Sequence, residues 1–79
     1  MDESRIRGSI VGILARIAPE ADLAGLEPDR RFRDQFEFDS IDCLNLMTAI
    51  EKEFGIKIPE EAYPGLSSLN GCVNYLRTL

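Results

Sequence analysis

Apolar residues recur at helical spacing in three stretches of the sequence. The first covers residues 4–18 and is followed by Pro19. The second covers residues 40–54 and is followed by Gly55, which is suited to a left-handed C-cap. The third begins near residues 67–68. The predicted buried stripes are Ile6, Ile10, Ile13, Leu14 and Ile17; Cys43, Leu46, Met47, Ile50 and Phe54; and Leu69, Cys72, Val73 and Leu76. This pattern predicts three amphipathic helices, each with one face buried.

The segment between the first two predicted helices, residues 19–39, has no clean period and is expected to be a long loop. A loop of this length in a small domain usually carries function or is held by its own anchors. We expect Leu26, Phe32 and Phe36 to insert into the core, and one helical turn to form around Asp29–Arg33. The arginines of the loop are expected to be solvated or ion-paired, with phosphate binding as the alternative; they are Arg30, Arg31 and Arg33.

A fourth, shorter helix is expected after Gly55. Ile56 and Ile58 are expected to lie against the core in an extended segment. Pro59, followed by two glutamates, is typical of a first helical turn, and Pro64-Gly65 is expected to end the helix after about one turn. The expected fold class is therefore all-α: a small four-helix bundle of three longer helices and one short helix, with a long first loop, in a single domain of residues 1–79.

Acidic residues are concentrated around the second predicted helix. The chain of 79 residues has a net charge of −5. Residues 34–61 contain eight acids and two lysines, whereas residues 1–33 are balanced by six acids and six arginines. Such a charge distribution disfavours nucleic acid and anionic membrane, and it favours protein partners with basic docking patches.

No stretch of the sequence approaches the length of a transmembrane helix. The amino-terminal residues lack the charged-then-apolar pattern of a signal peptide, so the expected localisation is cytoplasmic. Cys43 and Cys72 have no metal-ligand spacing and are expected to be buried free thiols, and no metal site is expected. The Gly8–Gly12 spacing lies outside an apolar span of membrane length and is no dimerisation signal, and a monomer is expected.

A serine stands at the beginning of the second predicted helix, in the segment Phe38-Asp39-Ser40-Ile41-Asp42. Either Asp39 or Ser40 is suited to be the N-cap of this helix. The chain contains no histidine, so Ser40 lacks the usual base that makes a serine nucleophilic. We therefore do not expect an enzyme, and we interpret Ser40 as a site of attachment.

Two apolar residues, Ile41 and Leu44, fall outside the buried stripe of the same helix. They lie beside the polar residues Asn45, Thr48 and Glu51. Apolar residues exposed among polar ones indicate a surface that a partner covers. Packing of Ile41 and Leu44 under a loop is the alternative.

The spacing of residues 39–61 resembles that of an acyl carrier protein. The matching residues are Asp39-Ser40-Ile41-Asp42, then Leu46-Met47, Ile50-Glu51 and Phe54, then Ile56, Ile58 and Pro59-Glu60-Glu61. The resemblance covers essentially the whole chain. It implies a helical carrier on which Ser40 holds a covalent 4′-phosphopantetheine arm, whose thiol carries acyl groups as thioesters in fatty-acid, polyketide or specialised lipid synthesis.

The resemblance also implies partner enzymes: a phosphopantetheinyl transferase, and an acyl-activating ligase, ketosynthase or acyltransferase with basic docking patches. The residues expected to face these partners are Asp39, Ile41, Asp42, Leu44, Asn45, Thr48 and Glu51. The residues implied to form the core around an acyl-chain pocket are Leu46, Met47, Ile50 and Phe54.

Several positions depart from the family pattern. Phe36 and Glu37 stand where the family often has Leu-Gly, Asn45 stands where a glutamate is common, and Thr48 stands where an apolar residue is common. Lys52 also interrupts the acidic run. These departures favour a specialised carrier with its own ligase or synthase over a carrier for the standard fatty-acid synthase.

Two other functions are kept as alternatives. The first is an unmodified helical interaction module that docks through Ile41 and Leu44, with Ser40 merely an N-cap. The second is an aminoacyl or peptidyl carrier. Asp39 disfavours the second, because histidine is usual at that position in peptidyl carrier domains.

Overall fold

Three α-helices form the body of the fold. The computed structural model describes residues 2–79; α1 spans Glu3–Ile17, α2 spans Ser40–Phe54 and α3 spans Leu69–Arg77. A fourth helix, of the 3₁₀ type, spans Glu60–Leu66. Helix α1 packs against both α2 and α3, and the 3₁₀ helix packs against α3. The small all-α bundle of four helices expected from the sequence is confirmed.

The core is built from one apolar face of each α-helix. All buried residues of the described chain are apolar, and they include Phe32 from the loop, Ile58 from the segment after α2 and Leu66 from the 3₁₀ helix. Full burial of a leucine, isoleucine or phenylalanine side chain contributes about 1.5–3 kcal/mol to the free energy of unfolding. Three stripe residues are only half-buried: Ile17, Cys43 and Phe54. The buried residues of the three α-helices are Ile6, Ile10, Ile13 and Leu14; Leu46, Met47 and Ile50; and Leu69, Cys72, Val73 and Leu76.

The long loop is folded against the core by its own side chains. Phe32 is fully buried, and Leu26 and Phe36 are half-buried against the core, as the sequence predicts. Phe38 joins them, because its ring lies 5.4 Å from that of Phe32 and 5.6 Å from that of Phe36, measured between centroids. The loop therefore ends in an aromatic cluster, Phe32, Phe36 and Phe38, immediately before α2.

The helical turn expected around Asp29–Arg33 lies further along the chain, at Phe32–Asp34. The side chain of Gln35 explains the displacement. Its amide nitrogen donates hydrogen bonds of 2.9 Å to the carbonyl oxygens of Glu27 and Arg30, and its amide oxygen accepts one of 2.7 Å from the Glu27 N–H. These bonds hold residues 27–30 as a turn, so the helical turn forms after it. A further 3₁₀ turn occupies Leu23–Gly25.

The loop is also hydrogen-bonded to the start of α3. The Phe32 N–H donates to the carbonyl oxygen of Ser67, and the Asn70 N–H donates to that of Pro28, each at 2.9 Å. The Asn70 side-chain amide donates to the Asp29 carboxylate at 2.6 Å. These contacts hold the loop across the beginning of α3, and the loop then continues to the beginning of α2.

The fourth helix is longer than the sequence predicts. Pro59 is its N-cap, and the helix continues through Pro64 and Gly65 to Leu66. The expectation that Pro64-Gly65 ends it was wrong, because the fixed φ of proline matches that of a 3₁₀ helix. This helix lies very close to α3: a Cβ added at Gly71 would overlap the carbonyl oxygen of Gly65.

Candidate functional site

Helix α2 begins with a complete capping box. The Asp39 carboxylate accepts a hydrogen bond of 2.9 Å from the N–H of Asp42, and the Asp42 carboxylate accepts one of 3.2 Å from the N–H of Asp39. Asp39 is therefore the N-cap and Ser40 the first helical residue. Ser40 does not cap the helix, which removes the ordinary structural reason for a serine at this position.

Ser40 is exposed. None of the side-chain hydrogen bonds within residues 2–79 involves its hydroxyl, and those at the start of the helix join Asp39 and Asp42. The capping box uses the N–H groups of Asp39 and Asp42, while those of Ser40 and Ile41 lie in the first turn, where helix N–H groups have no intrahelical partner. The positive end of the helix dipole lies at the same place. An anion attached to Ser40 would therefore meet a favourable electrostatic environment.

A cleft of about 600 Å³ opens beside Ser40. Its walls include three aromatic side chains: Phe32 and Phe38 from the loop, and Tyr63 from the 3₁₀ helix. Cys43 also lines it. The serine therefore stands at the edge of an aromatic and largely apolar cavity that can receive part of an attached group.

The sequence did not reveal several residues of this cleft. Phe38, Tyr63, Leu66 and Ser67 line it and were not predicted to do so. The spacing of Tyr63 and Leu66 was a usable signal, because residues three apart share a face in a 3₁₀ helix. The sequence carried no comparable signal for Phe38, since the segment that contains it has no clean period, and the opposite wall of the cleft comes from the distant residues Tyr63, Pro64 and Leu66.

The expected partner-facing residues lie along α2 in two groups. Ile41 and Leu44 are 69% and 55% exposed, so they do not pack under the loop. Asn45 and Thr48 are also exposed. These four residues form a continuous surface, which we call the outer surface of α2.

The acidic members of the predicted set have additional contacts within the fold. Asp39 is exposed and Asp42 half-buried, and both belong to the capping box. Glu51 is half-buried, and its carboxylate accepts a hydrogen bond of 2.7 Å from the N–H of Ile58. Glu51 is thus held against the chain, unlike the residues of the outer surface.

The two cysteines differ in their surroundings. Both are free thiols, but Cys43 is only half-buried and lines the cleft, contrary to expectation. Cys72 is buried, and its thiol donates to the carbonyl oxygen of Leu66 at 3.4 Å. Burial, followed by the neighbouring Cys43, raises the pKa of the Cys72 thiol to about 12. Cys72 therefore remains protonated and unreactive at neutral pH.

Two negative findings concern the described part of the chain. Within residues 2–79 there is no group of three or more histidine, cysteine, aspartate or glutamate side chains that could hold a metal ion. Over the same residues, no helix has the length and apolar character required to cross a membrane.

Comparison with known proteins gives the family. Residues 8–76 match the family described as Phosphopantetheine attachment site. An acyl carrier protein of Myxococcus xanthus is 31% identical over 70 residues, which cover 85% of this chain and 89% of that protein. An acyl carrier protein of Micrococcus luteus is 31% identical over 70 residues, which cover 85% of this chain and 86% of that protein. An acyl carrier protein of Renibacterium salmoninarum is 33% identical over 60 residues, which cover 76% of this chain and 69% of that protein.

The chain therefore belongs to the acyl carrier family, whose members bear phosphopantetheine and work with partner enzymes. It is a carrier and not an enzyme, and its cofactor is 4′-phosphopantetheine. The residues around Ser40 fit this cofactor, because an exposed hydroxyl, a helix beginning and a cleft of suitable character occur together.

Proposed function

We propose that the hydroxyl oxygen of Ser40 is the attachment atom for 4′-phosphopantetheine. The observation that carries this proposal is that Asp39, and not Ser40, caps α2. Ser40 is exposed, and because Asp39 is the cap, the Ser40 hydroxyl can be modified without loss of the cap. When attached, the arm supplies a thiol on which an acyl group is held as a thioester.

We propose that a partner enzyme, and not this chain, provides the groups that catalyse the attachment. The chain has no histidine, and the Asp39 carboxylate is already used by the N–H of Asp42. We therefore propose that the phosphopantetheinyl transferase supplies the base that removes the proton of Ser40. The carrier contributes an accessible hydroxyl at a rigid helix beginning.

We further propose that partner enzymes cover the outer surface of α2. Ile41 and Leu44 supply apolar area for the centre of such a contact, with Asn45 and Thr48 beside them. The carboxylates around α2 favour a basic patch on the partner. Contacts of this kind weaken with salt and allow release, which a carrier that moves between enzymes requires. Asp39 and Asp42 lie closest to Ser40 in sequence and are the acids proposed to be read by the transferase.

The proposed cargo is an acyl group, delivered by an acyl-activating ligase, ketosynthase or acyltransferase. Phe36, one member of the aromatic cluster, stands with Glu37 where the family often has Leu-Gly before the serine motif, and the other two members, Phe32 and Phe38, line the cleft. This replacement supports a specialised lipid or polyketide pathway served by dedicated partners. We propose that residues 1–79 act as one carrier domain in this role.

Intact-mass measurement tests the attachment. The protein is incubated with coenzyme A, magnesium and a broad-specificity phosphopantetheinyl transferase. The wild type should gain one phosphopantetheine and the Ser40→Ala variant none. Ser67→Ala is the matched control, because Ser67 lines the same cleft, and it should be modified like the wild type.

Other outcomes would redirect the proposal. Modification of Ser40→Ala would move the attachment site to another residue. Failure of the wild type with several transferases would favour the unmodified interaction module, which would use the outer surface of α2 alone. Loading by an aminoacyl ligase and by no acyl ligase would favour the aminoacyl or peptidyl carrier.

A further inference from the structure

The cleft beside Ser40 has two arginines in its lining, and only one of them is neutralised. Arg31 forms an ion pair with Asp34, with 2.9 Å between Nε and the carboxylate oxygen. Arg33 forms no ion pair with any residue of the described chain, 2–79. Arg30, the third arginine of the loop, is paired with Glu27 at 2.7 Å and does not line the cleft. Arg33 is therefore the uncompensated cation at this cavity.

The acid in the cleft lining does not neutralise Arg33. Asp39 lines the same cleft, but its carboxylate lies outside ion-pair distance of Arg33 and accepts the hydrogen bond from the N–H of Asp42. The surrounding sequence is strongly acidic, with eight acids and two lysines in residues 34–61. An unpaired guanidinium next to an acidic helix is thus a local exception in the charge distribution.

A phosphodiester on Ser40 has the complementary charge and lies at the same cleft. It carries one negative charge, and its oxygens match the planar fork of a guanidinium better than a point cation. Without Arg33, that phosphate would lie beside Asp39 and Asp42, and the other arginine of the cleft, Arg31, is already paired with Asp34. Arg33, which has no ion pair within its own loop, is therefore available to bind this phosphate.

We propose that the guanidinium of Arg33 binds the phosphodiester of the arm on Ser40 and holds the root of the arm against the cleft. This inference rests on the proposed attachment to Ser40. Arg33 is a positioning residue in this role, because it acts on the direction of the arm and not on the reacting thioester. The contact is exposed to solvent, so salt should weaken it.

The test uses the ³¹P resonance of the phosphodiester in the modified protein. Four proteins are compared: wild type, Arg33→Gln, Arg33→Lys and Arg16→Gln. Arg16 is an exposed arginine in the last turn of α1 that does not line the cleft, so it controls for the loss of one positive charge. Circular dichroism confirms that each variant is folded, and intact mass confirms that each carries one arm.

We expect the ³¹P resonance to move in Arg33→Gln and to remain at the wild-type position in Arg16→Gln. Arg33→Lys keeps the charge and should lie between them. Raising NaCl from about 0.05 to 0.5 M should shrink the difference between wild type and Arg33→Gln. In the wild type, the side-chain Nε–H resonance of Arg33 should shift when the unmodified protein receives its arm.

The opposite results overturn the inference. If Arg33→Gln and Arg16→Gln give the same ³¹P resonance, Arg33 does not bind the phosphate. Loading the arm with a succinyl or a butyryl group separates the phosphate from an anionic cargo: an Arg33 resonance that responds to the succinyl group alone would assign Arg33 to a cargo carboxylate and overturn the phosphate contact. A wild type that gains no mass overturns the attachment as well, whereas a modified protein with an unresponsive Arg33 overturns this inference only.

Discussion

The carboxylate of Glu51 and the backbone N–H of Ile58 are joined by a hydrogen bond of 2.7 Å. Glu51 lies in the last turns of α2, and Ile58 is a buried residue in the segment that follows the left-handed Gly55. The bond therefore ties the end of the helix to the chain that leaves it. It also shows that a residue expected to face partners has a role inside the fold.

Replacing Glu51 by alanine should lower the free energy of unfolding by about 1–3 kcal/mol, because the partly buried N–H of Ile58 loses its acceptor. Urea denaturation measures this change. Glu53→Ala is the matched control, since Glu53 is exposed on the same helix, and it should change stability by less than about 0.5 kcal/mol. Equal losses in the two variants would show that the hydrogen bond is not the source of stability.

Substitutions of Asp39 should separate its capping role from its charge. Asp39→Ala should cost about 0.5–2 kcal/mol of stability, whereas Asp39→Asn should be nearly neutral, because asparagine caps a helix about as well as aspartate. Both variants lose the same negative charge. If the transferase reads that charge, both should be modified more slowly than the wild type at low salt, and the difference should narrow at high salt. Wild-type rates for Asp39→Asn at low salt would exclude electrostatic recognition of this residue.

Truncation of the outer surface of α2 should affect recognition and leave stability unchanged. Ile41→Ala and Leu44→Ala remove exposed atoms, so each should change the free energy of unfolding by less than about 0.5 kcal/mol. Each should reduce kcat/KM of the transferase or a loading enzyme about fivefold or more if it lies at the centre of the contact. Thr48→Ala is the control, because it truncates a polar residue of the same surface instead of an apolar one. Leu46→Ala, at a buried position, should instead lose about 2–5 kcal/mol of stability.

The two thiols should react at different rates. At pH 8, iodoacetamide should alkylate Cys43 in the folded protein, because its side chain is partly exposed in the cleft. Cys72 should react only after unfolding, because its thiol is buried and its pKa is raised to about 12. Peptide mass mapping after a time course distinguishes the two sites. Equal rates would mean that α3 opens readily.

The raised pKa of Cys72 also makes stability depend on pH. The unfolded chain has the ordinary thiol pKa of 9.0 and the folded chain one of about 12. Below pH 9 both states are protonated and Cys72 has no effect. Between pH 9 and 12 the unfolded state loses the proton first, so the free energy of unfolding falls as pH rises, by on the order of 1.4 kcal/mol per pH unit from this residue. Cys72→Ala should flatten this decline in urea denaturation between pH 9 and 10.5.

Two glycine substitutions should have opposite effects. Gly71→Ala should destabilise the protein by about 1–3 kcal/mol, because the new Cβ would overlap the carbonyl oxygen of Gly65 and push the 3₁₀ helix away from α3. Gly8→Ala is the matched control within a helix. A Cβ at Gly8 meets nothing within 4 Å, so this variant should gain up to about 1 kcal/mol from helix propensity. Thermal unfolding of both variants shows whether each substitution raises or lowers stability.

The features that could be predicted from sequence are those with local causes. The buried face of α2 follows from apolar residues at a period of 3.6, and its ends follow from Asp39 and Gly55. Gly55 has the left-handed φ of 65° that a C-cap glycine adopts. The exposure of Ile41 and Leu44 was predictable for the same reason, since helix register alone places them off the buried face.

The features that could not be predicted depend on segments that are distant in sequence. Asn70 contacts Asp29 across a separation of 41 residues, and nothing near either residue indicates the other. Cys43 was expected to be buried because helix register places it on the apolar face of α2. Register does not show how closely other segments cover each residue of that face. Its actual half-exposed state results from the cleft formed by the loop and the 3₁₀ helix.

The cleft and the outer surface of α2 are formed by different parts of the chain. The loop and the 3₁₀ helix supply most of the cleft, while Ile41, Asn45 and Thr48 lie outside it. Leu44 belongs to both. If partner enzymes cover the outer surface of α2 as proposed, substitutions in the loop would reshape the cavity and leave the docking surface unchanged, and the reverse also holds. A substitution of Leu44 would change both.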